Sequence, residues 1–80
     1  MLSGPVRFAP TSLTVNVNTT VVWYNATGGT HTVTSDAGDE LNSGNIGGGK
    51  FFSHEFESTG TFDYHCAIHP SMTGTIEIEP

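Results

Sequence analysis

The stretch "GTFDYHCAIHPSMTGTIEIE", residues 60–79, holds two alternating segments on either side of a short loop. Apolar positions alternate with polar ones in both segments: Phe62, Tyr64 and Cys66 in the first, and Ile76 and Ile78 in the second. Successive side chains of a strand point to opposite faces, so this alternation predicts two strands that each turn one face to a core. The loop region holds the only cysteine of the chain, with two histidines and a methionine close to it.

Strand patterns recur at short intervals in the rest of the chain. Five further segments are β-branched, aromatic or alternating: residues 6–8, 13–17, 19–25, 30–35 and 51–57. "TTVVWYN", residues 19–25, is apolar enough to predict a central strand covered on both faces. Residues 36–50 hold five glycines without periodicity and predict a surface loop. Seven or eight short strands at this spacing predict an all-β chain folded as an antiparallel sandwich.

Length and charge limit the possible functions. The chain has 80 residues and a formal net charge of −6, from two basic and eight acidic residues. This length predicts a single domain over residues 1–80. A nucleic-acid binder needs a basic surface, so that class is excluded, whereas a partner with a basic patch is favoured. One cysteine excludes an intrachain disulfide, so packing, an oligomer or a metal must stabilise the domain.

The loop places three candidate metal ligands at equal spacing. Two residues separate Cys66 from His69, and two separate His69 from Met72. A thiolate and a thioether are soft donors and imidazole is intermediate, a set that suits copper better than calcium or magnesium. Structural zinc is disfavoured because methionine is a poor zinc ligand. Electron-transfer copper sites use a second histidine, and His31 in "GGTHTVTS" is the candidate.

These residues resemble the cupredoxins, the small blue-copper proteins, and most closely the amicyanin type, with plastocyanin and pseudoazurin as relatives. Residues 60–79 are similar to the copper loop and flanking strands of that family, and the loop spacing matches the amicyanin length. "HTVTS", residues 31–35, resembles the segment with the first histidine ligand. "FAPTSLTVNVNTTVVWYN", residues 8–25, resembles the opening strands.

The resemblance implies a role for each matched residue. His31 and His69 would bind copper through imidazole nitrogens, Cys66 as the thiolate, and Met72 as a weak axial ligand. The fold would be a Greek-key β-sandwich of about seven to eight strands, with one type 1 copper ion near one end. The activity would be one-electron transfer between redox partner proteins, without catalytic residues. Two alternatives stay open: an open axial position that reacts with a small molecule such as nitric oxide, and copper storage or delivery.

Two positions depart from the family pattern. Thr32 stands where many members have asparagine, whose side chain ties the two ligand segments together. Ala67 stands where many have serine or threonine. The hydrogen-bond shell around the thiolate is therefore expected to be thinner or differently built. Met72 could then lie farther from the copper, or water could approach it.

The other two histidines are not expected to bind the copper. His65 is adjacent to Cys66, so strand alternation turns it to the opposite face. The alternative is a second, catalytic copper as in copper nitrite reductases, which would need more histidines from another subunit. His54 shares a face with Phe52 and Phe56 and is expected to be a partly buried histidine with a hydrogen-bond partner. The acidic residues Asp36, Asp39 and Glu40 are expected to be solvated rather than a calcium site.

The loop tip suggests how such a protein meets its partners. Ala67, Ile68 and Pro70 surround His69 and predict a small apolar contact patch at the edge of the site. We expect a monomer whose acidic surface attracts a basic redox partner, without insertion into a membrane. We also expect an extracytoplasmic location, with the export or anchor segment absent from this chain.

Overall fold

The computed structural model describes residues 2–3 and 7–80, so Val6 of the strand predicted over residues 6–8 lies outside the described residues. In this part of the chain there are eight strands, and no helix is long and apolar enough to cross a membrane. The strands are β1 (Leu2–Ser3), β2 (Arg7–Phe8), β3 (Ser12–Asn16), β4 (Thr20–Tyr24), β5 (Thr34–Ser35), β6 (Phe51–Glu55), β7 (Gly60–His65) and β8 (Thr73–Glu79). The all-β prediction is confirmed.

The largest sheet has four strands in the order β3-β8-β7-β5. β7 pairs antiparallel with both of its neighbours, and Phe62 lies opposite Ile76. β3 and β8 pair in parallel, from Ser12 opposite Thr75 to Asn16 opposite Glu79. The prediction of antiparallel pairing is therefore wrong for this pair. Alternating side chains determine which face a residue occupies, but they carry no information on the direction of the neighbouring strand.

The second layer is the antiparallel pair β4-β6, and the short hairpin β1-β2 forms a third sheet. The Trp23 ring, from β4, meets the Tyr64 ring, from β7, edge to face with centroids 5.7 Å apart. The contact joins the two main sheets in the geometry that aromatic quadrupoles favour. The core between them is formed by twelve buried apolar side chains: Phe8, Val21, Trp23, Val33, Leu41, Ile46, Phe56, Tyr64, Cys66, Met72, Ile76 and Ile78.

β4 differs from the prediction of a strand covered on both faces. Val21 and Trp23 are buried, but Val22 and Tyr24 are exposed. Within the described residues β4 pairs only with β6, and the outer face of this pair meets solvent. β-branched and aromatic residues favour strands on either face, so composition alone did not reveal the exposed one.

The glycine-rich stretch 36–50 does not lie wholly on the surface as predicted. Leu41 and Ile46 are only 0% and 3% exposed and belong to the core. Ile46 exchanges two backbone hydrogen bonds with His31, at 3.1 and 2.7 Å. Of the strand predicted over residues 30–35, only Thr34–Ser35 (β5) forms. His31 lies outside β5 and is held by its bridge to Ile46.

Candidate metal centre

Cys66 directly follows β7, and its side chain is fully buried. Its backbone N–H donates to the Met72 carbonyl at 3.0 Å, and the Met72 N–H donates to the His69 carbonyl at 2.9 Å. These two bonds close the loop between the strands into a tight turn. The turn brings His69 beside Cys66, as the spacing predicted.

Three donor atoms from two distant segments converge at this turn. The Nδ1 atom of His31 lies 3.7 Å from the Cys66 sulfur, and the Nδ1 atom of His69 lies 3.8 Å from it. All three donors are within 4.8 Å of one another. No other such group of histidine, cysteine and carboxylate donors occurs in the part of the chain that the structure describes. His31 and Cys66 are buried, whereas His69 is exposed.

The two separations between the Cys66 sulfur and the histidine nitrogens fit donors that share a metal ion. Bonds of about 2.0–2.1 Å to nitrogen and about 2.3 Å to sulfur leave such atoms roughly 3.5 Å apart in a tetrahedral site. The observed separations of 3.7 and 3.8 Å are close to that value. A thiolate with two imidazoles is a donor set that suits copper. Met72, at 4% exposed, is buried in the same apolar cluster as Cys66.

Asn25 supports the His31 segment, and the sequence analysis did not identify it. Its amide is fully buried and donates to the carbonyls of Gly29 and Ile46, both at 2.8 Å. Its Oδ1 atom accepts from the backbone and the hydroxyl of Thr27. Asn25 thus links Gly29, in the turn before His31, to Ile46, which pairs with His31. Asparagine often bonds to backbone two residues on, as here with Thr27, so its position before "ATGG" was a usable signal.

The hydrogen bonds around the Cys66 sulfur are retained at Thr32 and Ala67, the two positions that depart from the family pattern, but they are made by other groups. The backbone N–H of Thr32 donates to the Cys66 sulfur at 3.3 Å. The Thr32 hydroxyl accepts the Ala67 backbone N–H at 2.7 Å. Thr32 therefore ties the two ligand segments together despite its short side chain. Ala67 has no hydroxyl, but its backbone N–H takes part in this tie.

Burial shifts the acid–base behaviour of His31. The pKa of His31 is lowered from its ordinary value, first because burial disfavours the charged ring and then because of positive charge on His69. The two ring centroids are only 4.8 Å apart. A lowered pKa keeps the ring neutral, which is the form that binds a metal.

The remaining histidines make other contacts. The Nδ1 atom of His65 lies 2.6 Å from an Asp36 oxygen, and the Nε2 atom of His54 lies 2.5 Å from a Glu40 oxygen. Neither ring belongs to the converging group described above. His54 is half-buried and has a polar partner, as its position in the sequence predicted.

Comparison with known proteins identifies the family. A family model described as copper binding proteins of the plastocyanin/azurin family matches residues 2–79. The chain belongs to this family. Plastocyanin from Scenedesmus fuscus is 32% identical over 96% of this chain and 91% of its own length. Amicyanin from Paracoccus denitrificans is 32% identical over 92% of this chain, which spans 60% of the length of that protein.

Solved structures agree with the family. A purple cupredoxin from Nitrosopumilus maritimus has a TM-score of 0.85 at 28% identity, over 99% of this chain and 88% of the other. An oxidised amicyanin variant has a TM-score of 0.81 at 34% identity, over 86% of this chain and 70% of the other. The predictions of a cupredoxin, of its β-sandwich fold and of one copper ion are confirmed.

Proposed function

We propose that this cupredoxin carries single electrons between redox partner proteins. One type 1 copper ion would be bound by His31, Cys66, His69 and Met72. The observation that carries this proposal is the convergence of two imidazole nitrogens and one cysteine sulfur within 4.8 Å. Bound copper would supply the one-electron couple between Cu(I) and Cu(II), which this donor set suits in both states.

The chain's own contribution is to hold the ligands in one arrangement. His31 is fixed by its paired hydrogen bonds to Ile46, and Cys66 by the closed loop to Met72. Since the ligands come from two segments of a packed sandwich, little rearrangement is available between oxidation states. Met72 is the proposed weak axial ligand because it is buried where the loop rejoins the sheet.

The exposed edge of the site is the proposed contact for partners. His69 lies between Ile68, which is 48% exposed, and Pro70, which is also exposed. A small apolar patch of this kind suits the weak, short-lived contacts of redox proteins. The net charge of −6 favours a basic partner, and the protein would act as a monomer without catalytic turnover.

A location outside the cytoplasm is part of the same proposal. Membership of the plastocyanin/azurin family supports it. Fractionation of cells that produce the protein from its natural gene tests it: recovery with cytoplasmic markers would contradict this location.

The copper-loaded protein provides the test of function. We expect an intense visible band from charge transfer between the thiolate and copper, and a reversible one-electron couple. Cys66→Ser should abolish the band and leave the β-type circular dichroism, whereas Ser71→Ala, an exposed change in the same loop, should retain both. A visible band that persists in Cys66→Ser would contradict the proposal.

Two further outcomes would favour the other functions. A spectrum that changes on addition of nitric oxide would indicate an open axial position. Rapid loss of Cu(I) to a chelator without a reversible couple would indicate storage or delivery.

A further inference from the structure

A chain of hydrogen bonds beside Cys66 ends at a residue outside the proposed ligand set. Thr32 donates its backbone N–H to the Cys66 sulfur and accepts the Ala67 N–H on its hydroxyl. The same Thr32 hydroxyl lies 2.9 Å from the hydroxyl of Thr34. The two threonines therefore share one hydrogen bond directly behind the thiolate.

The direction of that shared bond follows from the donors available. A backbone N–H can only donate, so the Thr32 oxygen must accept from Ala67. Thr32 is only 5% exposed, and among the described residues the remaining hydrogen-bond partner of its hydroxyl is Thr34. The Thr32 proton therefore goes to the Thr34 oxygen. Thr34 is half-buried, so its own proton can go to water. Hydrogen bonds in such a chain polarise and strengthen one another.

Thr34 is well placed to hold its neighbour because its own backbone is held on two sides. It pairs with His65 across β5 and β7, one residue before Cys66. It also forms a bridge with Asn42 from the glycine-rich stretch. The contacts thus form a closed ring that runs from Cys66 through Thr32 and Thr34 and back through His65.

We infer that Thr34 is a positioning residue for the copper thiolate. By accepting the Thr32 proton, its hydroxyl fixes the stiff, β-branched Thr32 side chain in the rotamer that receives the Ala67 N–H. That arrangement keeps the Thr32 N–H directed at the Cys66 sulfur. A hydrogen bond to the sulfur draws electron density from the thiolate, which weakens its donation to the oxidised metal and raises the reduction potential. Only the effect on the reduction potential rests on the proposed copper centre; the positioning of Thr32 does not.

Removal of the Thr34 hydroxyl tests the inference with two readouts. Thr34→Val keeps the branched shape, Thr34→Ser keeps the hydroxyl, and Thr75→Val is the matched control. Thr75 lies on β8 of the same sheet, with β7 between it and β5, and its hydroxyl donates to Asp63 at 2.7 Å rather than to Thr32 or Thr34. In the metal-free protein, Thr34→Val should speed hydrogen exchange of the Ala67 amide by about threefold or more, the effect of weakening one hydrogen bond. Thr34→Ser and Thr75→Val should leave that rate near the wild-type value.

The copper-loaded protein provides the second readout. Thr34→Val should shift the charge-transfer band. It should also lower the reduction potential, by an amount that corresponds to about a threefold change in the redox equilibrium constant. In a Thr32→Val background it should have no further effect, because Thr34 acts through Thr32.

Three results would overturn the inference: unchanged Ala67 exchange in Thr34→Val, an equal effect of Thr75→Val, or additive effects with Thr32→Val. Since Ala67 exchange is measured without copper, failure of the proposed copper function would leave this test intact.

Discussion

His31 and His69 lie with ring centroids 4.8 Å apart, yet His31 is 2% exposed and His69 is exposed to solvent. The two proposed imidazole ligands therefore differ in access although they approach the same sulfur. One is held inside the sandwich by Ile46, and the other stands on the loop tip. Solvent and protons therefore reach His69 more readily than His31.

The difference predicts how His31 titrates in the metal-free protein. Its pKa should lie below the ordinary 6.5, because of burial first and the nearby His69 charge second. NMR titration of the ring resonances measures this directly. His69→Ala should raise the His31 pKa only part of the way to 6.5, because burial remains. A His31 pKa at or above 6.5 in the wild-type protein would contradict the prediction.

The same shift predicts the acid sensitivity of the metal-free fold. When the folded-state pKa of a histidine is lowered, the unfolded chain takes up the proton first as pH falls. The stability that His31 contributes is therefore complete above pH 6.5 and is lost as pH falls towards its folded-state pKa. The free energy of unfolding, measured with denaturant between pH 7.5 and about pH 5, should fall less steeply in His31→Gln than in the wild-type protein. Equal slopes would show that His31 does not cause the loss.

Asn25 is predicted to be essential for stability. Asn25→Ala would remove the bonds that its amide donates to the Gly29 and Ile46 carbonyls and the two that its Oδ1 atom accepts from Thr27, although Ile46 would keep its bond from the His31 N–H. Since the change removes four side-chain hydrogen bonds, each of which contributes about 0.5–1.5 kcal/mol net, we expect a loss of roughly 2–4 kcal/mol in the free energy of unfolding. The thermal midpoint of the metal-free protein should fall by about 10–20 °C. Asn45→Ala, at an exposed position in the loop that carries Ile46, is the control and should change the midpoint little.

The sequence predicted the candidate ligands of the loop better than it predicted the residues that hold them in place. Cys66, His69 and Met72 lie within one turn, so local spacing was enough to predict that they lie together. Ile46 bonds to Asn25 and His31 across many residues of the chain, and such long-range contacts leave little local pattern. The parallel pairing of β3 with β8 was missed for the same reason, because it joins opposite ends of the sequence.

Gly74 is predicted to admit no side chain. A Cβ atom there would lie 2.4 Å from the Tyr64 ring, which is itself packed in the core two residues before Cys66. Gly74→Ala should therefore push the ring away and destabilise the fold by about 1–3 kcal/mol, as overpacking does. Gly28→Ala is the matched control, since a Cβ at Gly28 would meet nothing within 4 Å. Comparable unfolding midpoints for the two variants would show that the Tyr64 contact is not restrictive.

Three acidic residues lie on strands of the four-stranded sheet and not on the apolar loop tip, so the effects of charge and of apolar contact on partner association can be measured separately. Asp63, Glu77 and Glu79 point outward from the four-stranded sheet, whereas Ile68 lies on the loop beside His69. Charge acts at a distance of about 8–10 Å near physiological ionic strength and is screened by salt. Apolar contact acts only after encounter and is insensitive to salt.

Association with a basic redox protein should therefore slow as salt rises, whereas a neutral one should respond little. Glu79→Gln should slow transfer at low salt only, because it removes part of the attracting charge. Ile68→Glu should impair transfer at high salt as well, because it places a charge in the contact patch. Stopped-flow rates over a salt series, with a basic c-type cytochrome as the probe, measure both effects. Rates that ignore salt would refute steering by the acidic surface, and an Ile68→Glu variant that recovers fully at high salt would refute the loop tip as the contact.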